Sequence, residues 1–97
     1  LYPHQARRIV GALELSGREL VVEIGAGLGA LTVFLAQAIP QVVALERDPA
    51  LAEFLTRELF PGSQTVQVLC QDVLEFDFLA LARKAGQTLV VVGNLPY

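Results

Sequence analysis

The sequence predicts an open α/β domain built on a parallel sheet, and two observations carry that expectation. Four short apolar runs, Leu20–Ile24, Val42–Leu45, Thr65–Cys70 and Thr88–Val92, alternate with stretches of helical periodicity. Strands separated by helical segments imply right-handed crossovers and parallel pairing. The second observation is where the chemistry-bearing residues stand. Glu23–Gly29, Glu46, Asp72 and Asn94–Tyr97 each lie at or just past the end of an apolar run. Open α/β sheets bind their ligands outside the carboxyl ends of the strands.

Each element has a local cause. Pro3–Leu15 carries Ile9, Val10 and Leu13 at helical spacing, with Pro3 suited to a first turn and Ser16-Gly17 as a stop. Leu20–Ile24 is apolar except for Glu23, as expected of a strand buried on both faces. Gly25–Gly29 is a glycine-rich turn, and Ala30–Ala38 resumes the helical period until Pro40. Val42–Leu45 is the second strand. Asp48-Pro49 then supplies a carboxylate cap and a proline at the first helical position, opening a helix that runs to about Leu59. Pro61-Gly62 breaks it. After the third strand, Gln71–Phe78 reads as a connecting turn in which Asp77 caps a short helix, Leu79–Lys84. Gly86 stops that helix before the last strand.

Composition excludes several classes. The 97 residues make one domain at most, and 54% hydrophobic content argues against disorder. A net charge of −3, with seven scattered Lys and Arg, leaves no basic face for a phosphate backbone. The single Cys70 allows no internal disulfide, and with His4 it makes no metal site. No apolar run approaches the ~20 residues that cross a bilayer, and no signal peptide is seen, so a cytoplasmic protein is expected. Leu1 stands where an initiator Met would, and Tyr97 ends the chain without a tail. An excised fragment, open at both ends, is expected.

Four sites follow the strands. In EIGAGLGALT, Gly25, Gly27 and Gly29 let the backbone turn and approach a ligand with no Cβ in the way. Taken alone, this is a weak signal. Glu46 ends the second strand, where an acid can accept from both hydroxyls of a ribose, though an ordinary exposed carboxylate would look the same. Together these favour a nucleoside. The glycines alternate strictly, unlike the Gly-x-Gly-x-x-Gly of dinucleotide folds, and Glu23 would be poorly placed near a pyrophosphate. A cofactor bearing an ammonium and a sulfonium suits that acidity better. Asp72 can accept from the exocyclic amine of an adenine, while the Val73 N–H donates to its ring; alternatively Asp72 caps the following turn. Last, VVGNLPY offers the Asn94 side-chain carbonyl and the Leu95 backbone carbonyl as convergent acceptors for an amino group. Pro96 fixes the backbone without a competing N–H, and Tyr97 offers a flat face for a base.

In order and spacing, VVEIGAGLGALT, ALERD, QDVLEFDF and VVGNLPY resemble the motifs of the ribosomal RNA adenine N6-dimethyltransferases, with the macrolide-resistance Erm methyltransferases as close cousins. The resemblance covers Leu20–Tyr97. Ala26 stands where that family often has proline. The resemblance implies a truncated Rossmann-like class I methyltransferase domain spanning residues 1–97, with helices on both faces and strand order 3-2-1-4. It implies S-adenosylmethionine as cofactor, with the Glu23–Gly29 loop, Ala26 included, along its methionine part, Glu46 on the ribose, and Asp72 with Val73 on adenine. Asn94 also borders the cofactor, and Asn94, Leu95, Pro96 and Tyr97 hold the target adenine. The partner implied is ribosomal RNA or a small-subunit precursor, bound mostly through other parts of a longer chain. Another adenine N6-methyltransferase, a non-catalytic ribosome-assembly or transcription relative, and a dinucleotide-dependent oxidoreductase stay open as alternatives. The isolated piece is expected to be inactive and to self-associate through the uncharged edge at residues 88–92.

Overall fold

The structure, a computed structural model, describes residues 3–12 and 18–93. Helix α1 (Pro3–Ala12) precedes strand β1 (Leu20–Ile24), helix α2 (Ala30–Ala38), strand β2 (Val42–Leu45) and helix α3 (Pro49–Phe54). A π-helical turn, Leu55–Leu59, continues α3. Strand β3 (Val66–Leu69), a 3-10 turn at Val73–Glu75, helix α4 (Phe78–Ala85) and strand β4 (Leu89–Gly93) complete the order. The four strands form one parallel sheet in the order β3-β2-β1-β4.

The central strands explain the unbroken apolar runs. Leu20, Val21, Val22 and every residue of β2 are buried, because helices cover both faces. Alternation decides which face each residue serves. Val21, Val42, Ala44 and Val66 pack with Leu31 and Leu35 of α2 and with Leu55, and Val10 of α1 joins them. Leu20, Val22, Val43 and Leu45 face the other way, toward Phe76, Phe78 and Leu81. Glu23 follows Val21 by two residues, so its side chain belongs to the α2 face.

Caps hold where the sequence puts them. Asp48 Oδ1 accepts from the Ala50 N–H at 2.9 Å, and Pro49 fills the first helical position. Asp77 Oδ1 accepts from the Ala80 N–H at 2.9 Å. Helix α4 therefore starts at Phe78, one residue earlier than expected, and ends at Ala85 against the left-handed Gly86. The third strand is shorter than the expected Thr65–Cys70. Ser63 Oγ accepts from the Thr65 and Val66 N–H groups, which holds Thr65 in the preceding turn. The fourth is shifted one residue, because Gly93 still pairs with Ile24. The expected end of the first helix, Leu13–Leu15 with Ser16-Gly17, lies outside the described residues. Among the described residues, no helix is long and apolar enough to cross a membrane.

The α3 helix reaches Leu59 as expected, but its last turn is widened. The Phe60 N–H donates to the Leu55 carbonyl, five residues back, at 2.9 Å. That turn places Leu55 and Leu59 against Gly29, the left-handed residue (φ 85°) that caps α2. A Cβ on Gly29 would collide with Leu59 Cδ2 and press on Leu55 Cδ2 at 3.0 Å. A Cβ on Gly27 (φ 58°) would meet nothing closer than the Gly25 carbonyl at 3.9 Å. Both substitutions strain the backbone by ~1–2 kcal/mol, but only Gly29→Ala adds an overpacking cost of ~1–3 kcal/mol. Urea denaturation should therefore rank Gly29→Ala as clearly less stable than Gly27→Ala. Equal losses would mean that the α2 and α3 segments do not meet at Gly29.

Candidate functional site

The carboxyl ends of β1 and β2 are joined through backbone and side chain together. The Leu45 carbonyl accepts from the Gly25 N–H at 2.9 Å and the Ala26 N–H at 3.3 Å, so the glycine loop folds over the end of β2. Gly25, Gly27 and Gly29 all have positive φ, which lets five residues reverse direction between a strand and a helix. Ala26 is buried in the α2-side core, and its carbonyl accepts from Gly29 N–H at 2.9 Å.

Glu46 clamps this loop. Its Oε1 accepts from the Gly27 N–H and its Oε2 from the Asp48 N–H, each at 2.8 Å. The exposed carboxylate weighed from sequence is instead a buried one, 6% accessible. One carboxylate thereby fixes the loop after β1 to the entry of α3. Charge-assisted bonds to backbone N–H groups are among the stronger ones. Two donors use only half of a carboxylate's roughly four acceptor positions, so Glu46 keeps capacity for hydroxyl donors of a ligand.

Glu23 sits below the loop, 1% exposed. The Thr32 hydroxyl, in the first turn of α2, donates to Glu23 Oε1. Burial pushes the Glu23 carboxyl up from 4.5 to about 7, and the hydrogen bond from Thr32 counters part of that rise. The motif EIGAGLGALT carried this pairing, but the partners stand nine positions apart across strand end, turn and helix, and Thr32 was not singled out.

Asp72 and Val73 follow β3, at the far side of β2 from the loop. Asp72 Oδ1 accepts from the Leu74 N–H at 3.0 Å, so its turn-capping role is realised and its other oxygen stays available. Leu74 beside it is 90% exposed, and Leu28 on the glycine loop is 70% exposed. These two apolar side chains at the carboxyl ends of the strands were also missed, since a single exposed leucine has no sequence signature. Asn94, Leu95, Pro96 and Tyr97 lie outside the described residues; β4 carries the chain to Gly93, level with Ile24 at the end of β1. Among the described residues, no cluster of His, Cys, Asp or Glu could hold a metal ion. A cavity of about 480 Å³ opens at the opposite, amino ends of the strands, lined by Leu20, Gln41, Thr65, Lys84 and Gln87 among others. None of the strand-end acids reaches it.

Solved structures define the class. The 23S rRNA methyltransferase ErmE superimposes with a TM-score of 0.80 at 31% identity, over 100% of this chain and 37% of that one. A dimethyladenosine transferase from Plasmodium falciparum gives 0.75 at 26%, over 99% and 33%. The fold is that of the Rossmann-like methyltransferases. The family model described as ribosomal RNA adenine dimethylase matches residues 3–97. The chain is 50% identical over 91 residues to the ribosomal RNA small subunit methyltransferase A of Acidobacterium capsulatum, covering 94% of this chain and 31% of that protein. The corresponding protein of Erwinia tasmaniensis is 44% identical over 89 residues, covering 92% and 32%. The chain belongs to the ribosomal RNA adenine dimethylase family, and it spans about a third of the length of these relatives.

The raised Glu23 carboxyl has a consequence for stability. A group whose folded value lies above its unfolded one contributes stability that is full below the unfolded value and lost as pH rises through the folded value. For Glu23 that window runs from pH 4.5 to about 7. Glu23→Gln removes the titration. Its stability relative to the unsubstituted protein should improve by roughly 3 kcal/mol across that window, the size of a 2.5-unit displacement. Urea unfolding at the two ends of the window measures it, and a constant difference would contradict the burial of an ionisable Glu23.

Proposed function

We propose that this chain is part of an S-adenosylmethionine-dependent methyltransferase that dimethylates adenines of small-subunit ribosomal RNA on N6, in the cytoplasm. The observation that carries the proposal is the Glu46 carboxylate, bonded to Gly27 N–H at 2.8 Å across the ends of β1 and β2, in a chain of this family. The residues present fit the cofactor. Glu46 has acceptor capacity left for ribose hydroxyls, and the space beside Gly27 that a Cβ would fill is open to a ligand. Glu23, Gly25, Ala26, Gly27 and Gly29 would border the methionine part, and Asp72 with the Val73 N–H the adenine.

When bound, the cofactor supplies a methyl group on a sulfonium, already an excellent leaving group. What remains for the protein is placement. The target amine is a weak, conjugated nucleophile, and it is Asn94 and Leu95 that would accept its two N–H bonds and favour the rehybridised amine over the planar one. Pro96, with its fixed φ and no N–H, would limit that segment's freedom, and Tyr97 would stack on the extruded base. Good orientation alone can lower such a barrier by up to ~7–11 kcal/mol.

Two variants of the full-length protein test the assignment. Glu46→Ala should weaken S-adenosylmethionine binding by ~1–3 kcal/mol, because it removes both a ligand acceptor and the clamp on the loop. Asn94→Ala should spare that binding and abolish most methyl transfer to unmodified small-subunit RNA. Unchanged cofactor affinity in the first, or near-normal turnover in the second, would overturn the corresponding role. Tight NADH binding in place of S-adenosylmethionine would overturn the function itself.

The isolated 97-residue chain is proposed to self-associate and to be inactive. Among the described residues strand β4 is bonded to β1 alone, Val91 is 47% exposed, and residues 88–92 carry no charge. Size-exclusion with light scattering should show oligomers whose population falls when Val91 is replaced by Lys. A monomer at high concentration would refute the proposal.

A further inference from the structure

The acid beneath the glycine loop has an unusual setting. Its cross-strand neighbours are Ala44 and Val92, and Val21 precedes it on the same face. Helix α2 carries no ionisable side chain, nor do β2 and β4. Glu46, just past β2, is engaged by Gly27 and Asp48. On the α3 segment Glu53 and Arg57 pair with each other at the surface, and Glu58 is exposed. On α1, His4, Arg7 and Arg8 are exposed, with Arg7 over the Phe34 ring. Among the described residues, the Thr32 hydroxyl is the group that bonds Glu23, and no cation pairs with it. An ionised carboxylate this deep needs a positive partner or several donors, and one hydroxyl is neither.

We propose that Glu23 and Thr32 form a proton-holding pair beneath the glycine loop, and that a ligand ammonium entering the loop displaces the proton from the Glu23 carboxyl to solvent. The proposal rests on the cofactor reading above and deepens it. The balance is simple. A neutral carboxyl and an ammonium ion go in, a carboxylate–ammonium pair remains, and one proton leaves to the buffer. The ammonium supplies the positive partner that the fold withholds. Thr32 is a positioning residue in this pair: its hydroxyl favours the ionised form and so sets how readily the proton leaves. Burial has already brought that release close to neutrality.

Calorimetry on the full-length protein tests this with S-adenosylhomocysteine, which carries the ammonium but no sulfonium. Affinity should rise about 15-fold between roughly pH 5.5 and 7, the factor for a free-state value of about 7 and a bound value well below the range. Staying below the ligand's own α-amino value of ~7.7–8.0 keeps its charge constant. Near neutrality, buffers of different ionisation enthalpy should report about half a proton released per ligand bound. Glu23→Gln should flatten the pH dependence. Thr32→Val should move it to higher pH, and Thr32→Ser should restore it. Methylthioadenosine, which lacks the amino-acid part, should bind with no such dependence. Carbon-13 titration of the Glu23 carboxyl in the unsubstituted protein gives the same answer without any variant, through a value that falls when ligand binds. Tight but pH-independent binding would overturn the linkage and leave the cofactor reading standing. No binding at any pH would overturn both.

Discussion

The hydrogen bonds accepted by Glu46 are the constraint on which the site depends. Three segments from different parts of the chain converge on one carboxylate: the loop after β1, the end of β2 and the entry to α3. Each has its own local logic. The loop turns because its glycines reach positive φ, β2 ends because Asp48-Pro49 starts a helix, and α3 starts because Asp48 caps it. None of these fixes the three relative to each other. Glu46 does so with two charge-assisted bonds to backbone, which side-chain substitution in the loop cannot remove. The acid proposed to hold a ribose and the loop proposed to lie along the rest of the ligand are thereby one unit, tied together by the fold itself.

The loop is held from below by different means. Gly29 seats on Leu55 and Leu59, and Thr32 reaches down to Glu23. The two buried acids make an instructive contrast. Glu46 is fed by two N–H groups at the end of the sheet, while Glu23 has one hydroxyl and apolar neighbours. Burial without donors raises a carboxyl, and Glu23 shows the result. A fully satisfied Glu23 would stabilise the free protein but, on the proposal above, would remove the reason for a positive ligand group to bind there.

Much of this was legible in the sequence, for identifiable reasons. The central strands are nearly all apolar because helices bury both their faces, so Leu20–Ile24 and Val42–Leu45 announce themselves with correct ends. The edge strand β3 is half-buried and begins after a Ser63-centred turn, and there the boundary slips. Asp48 and Asp77 cap where they stand, because a cap is a local interaction over two or three residues. What could not be read was relative rotation. That Thr32 faces Glu23, and that Glu46 turns inward to Gly27, depend on how α2 sits over β1. That angle is set by packing, including the widened π turn at Leu55–Leu59, which has no sequence signature.

The same distinction explains how the family's motifs divide the work along the chain. The parts proposed to hold a cofactor would need rigidity in the backbone, and they occupy the tightest junction of the sheet, between the two strands buried on both faces. The segment proposed to meet the acceptor follows β4, which among the described residues is bonded on one side only and whose residues are half-buried or exposed. A strand in that position takes its rigidity from whatever pairs with its free edge. The relatives are about three times as long as this chain. On the proposed reading, cofactor geometry would be set at the β1–β2 junction, while the aim of the acceptor segment would depend on how firmly β4 is held. The proposed reaction, which would need two groups held in line and no strong base, would be sensitive to that second condition above all.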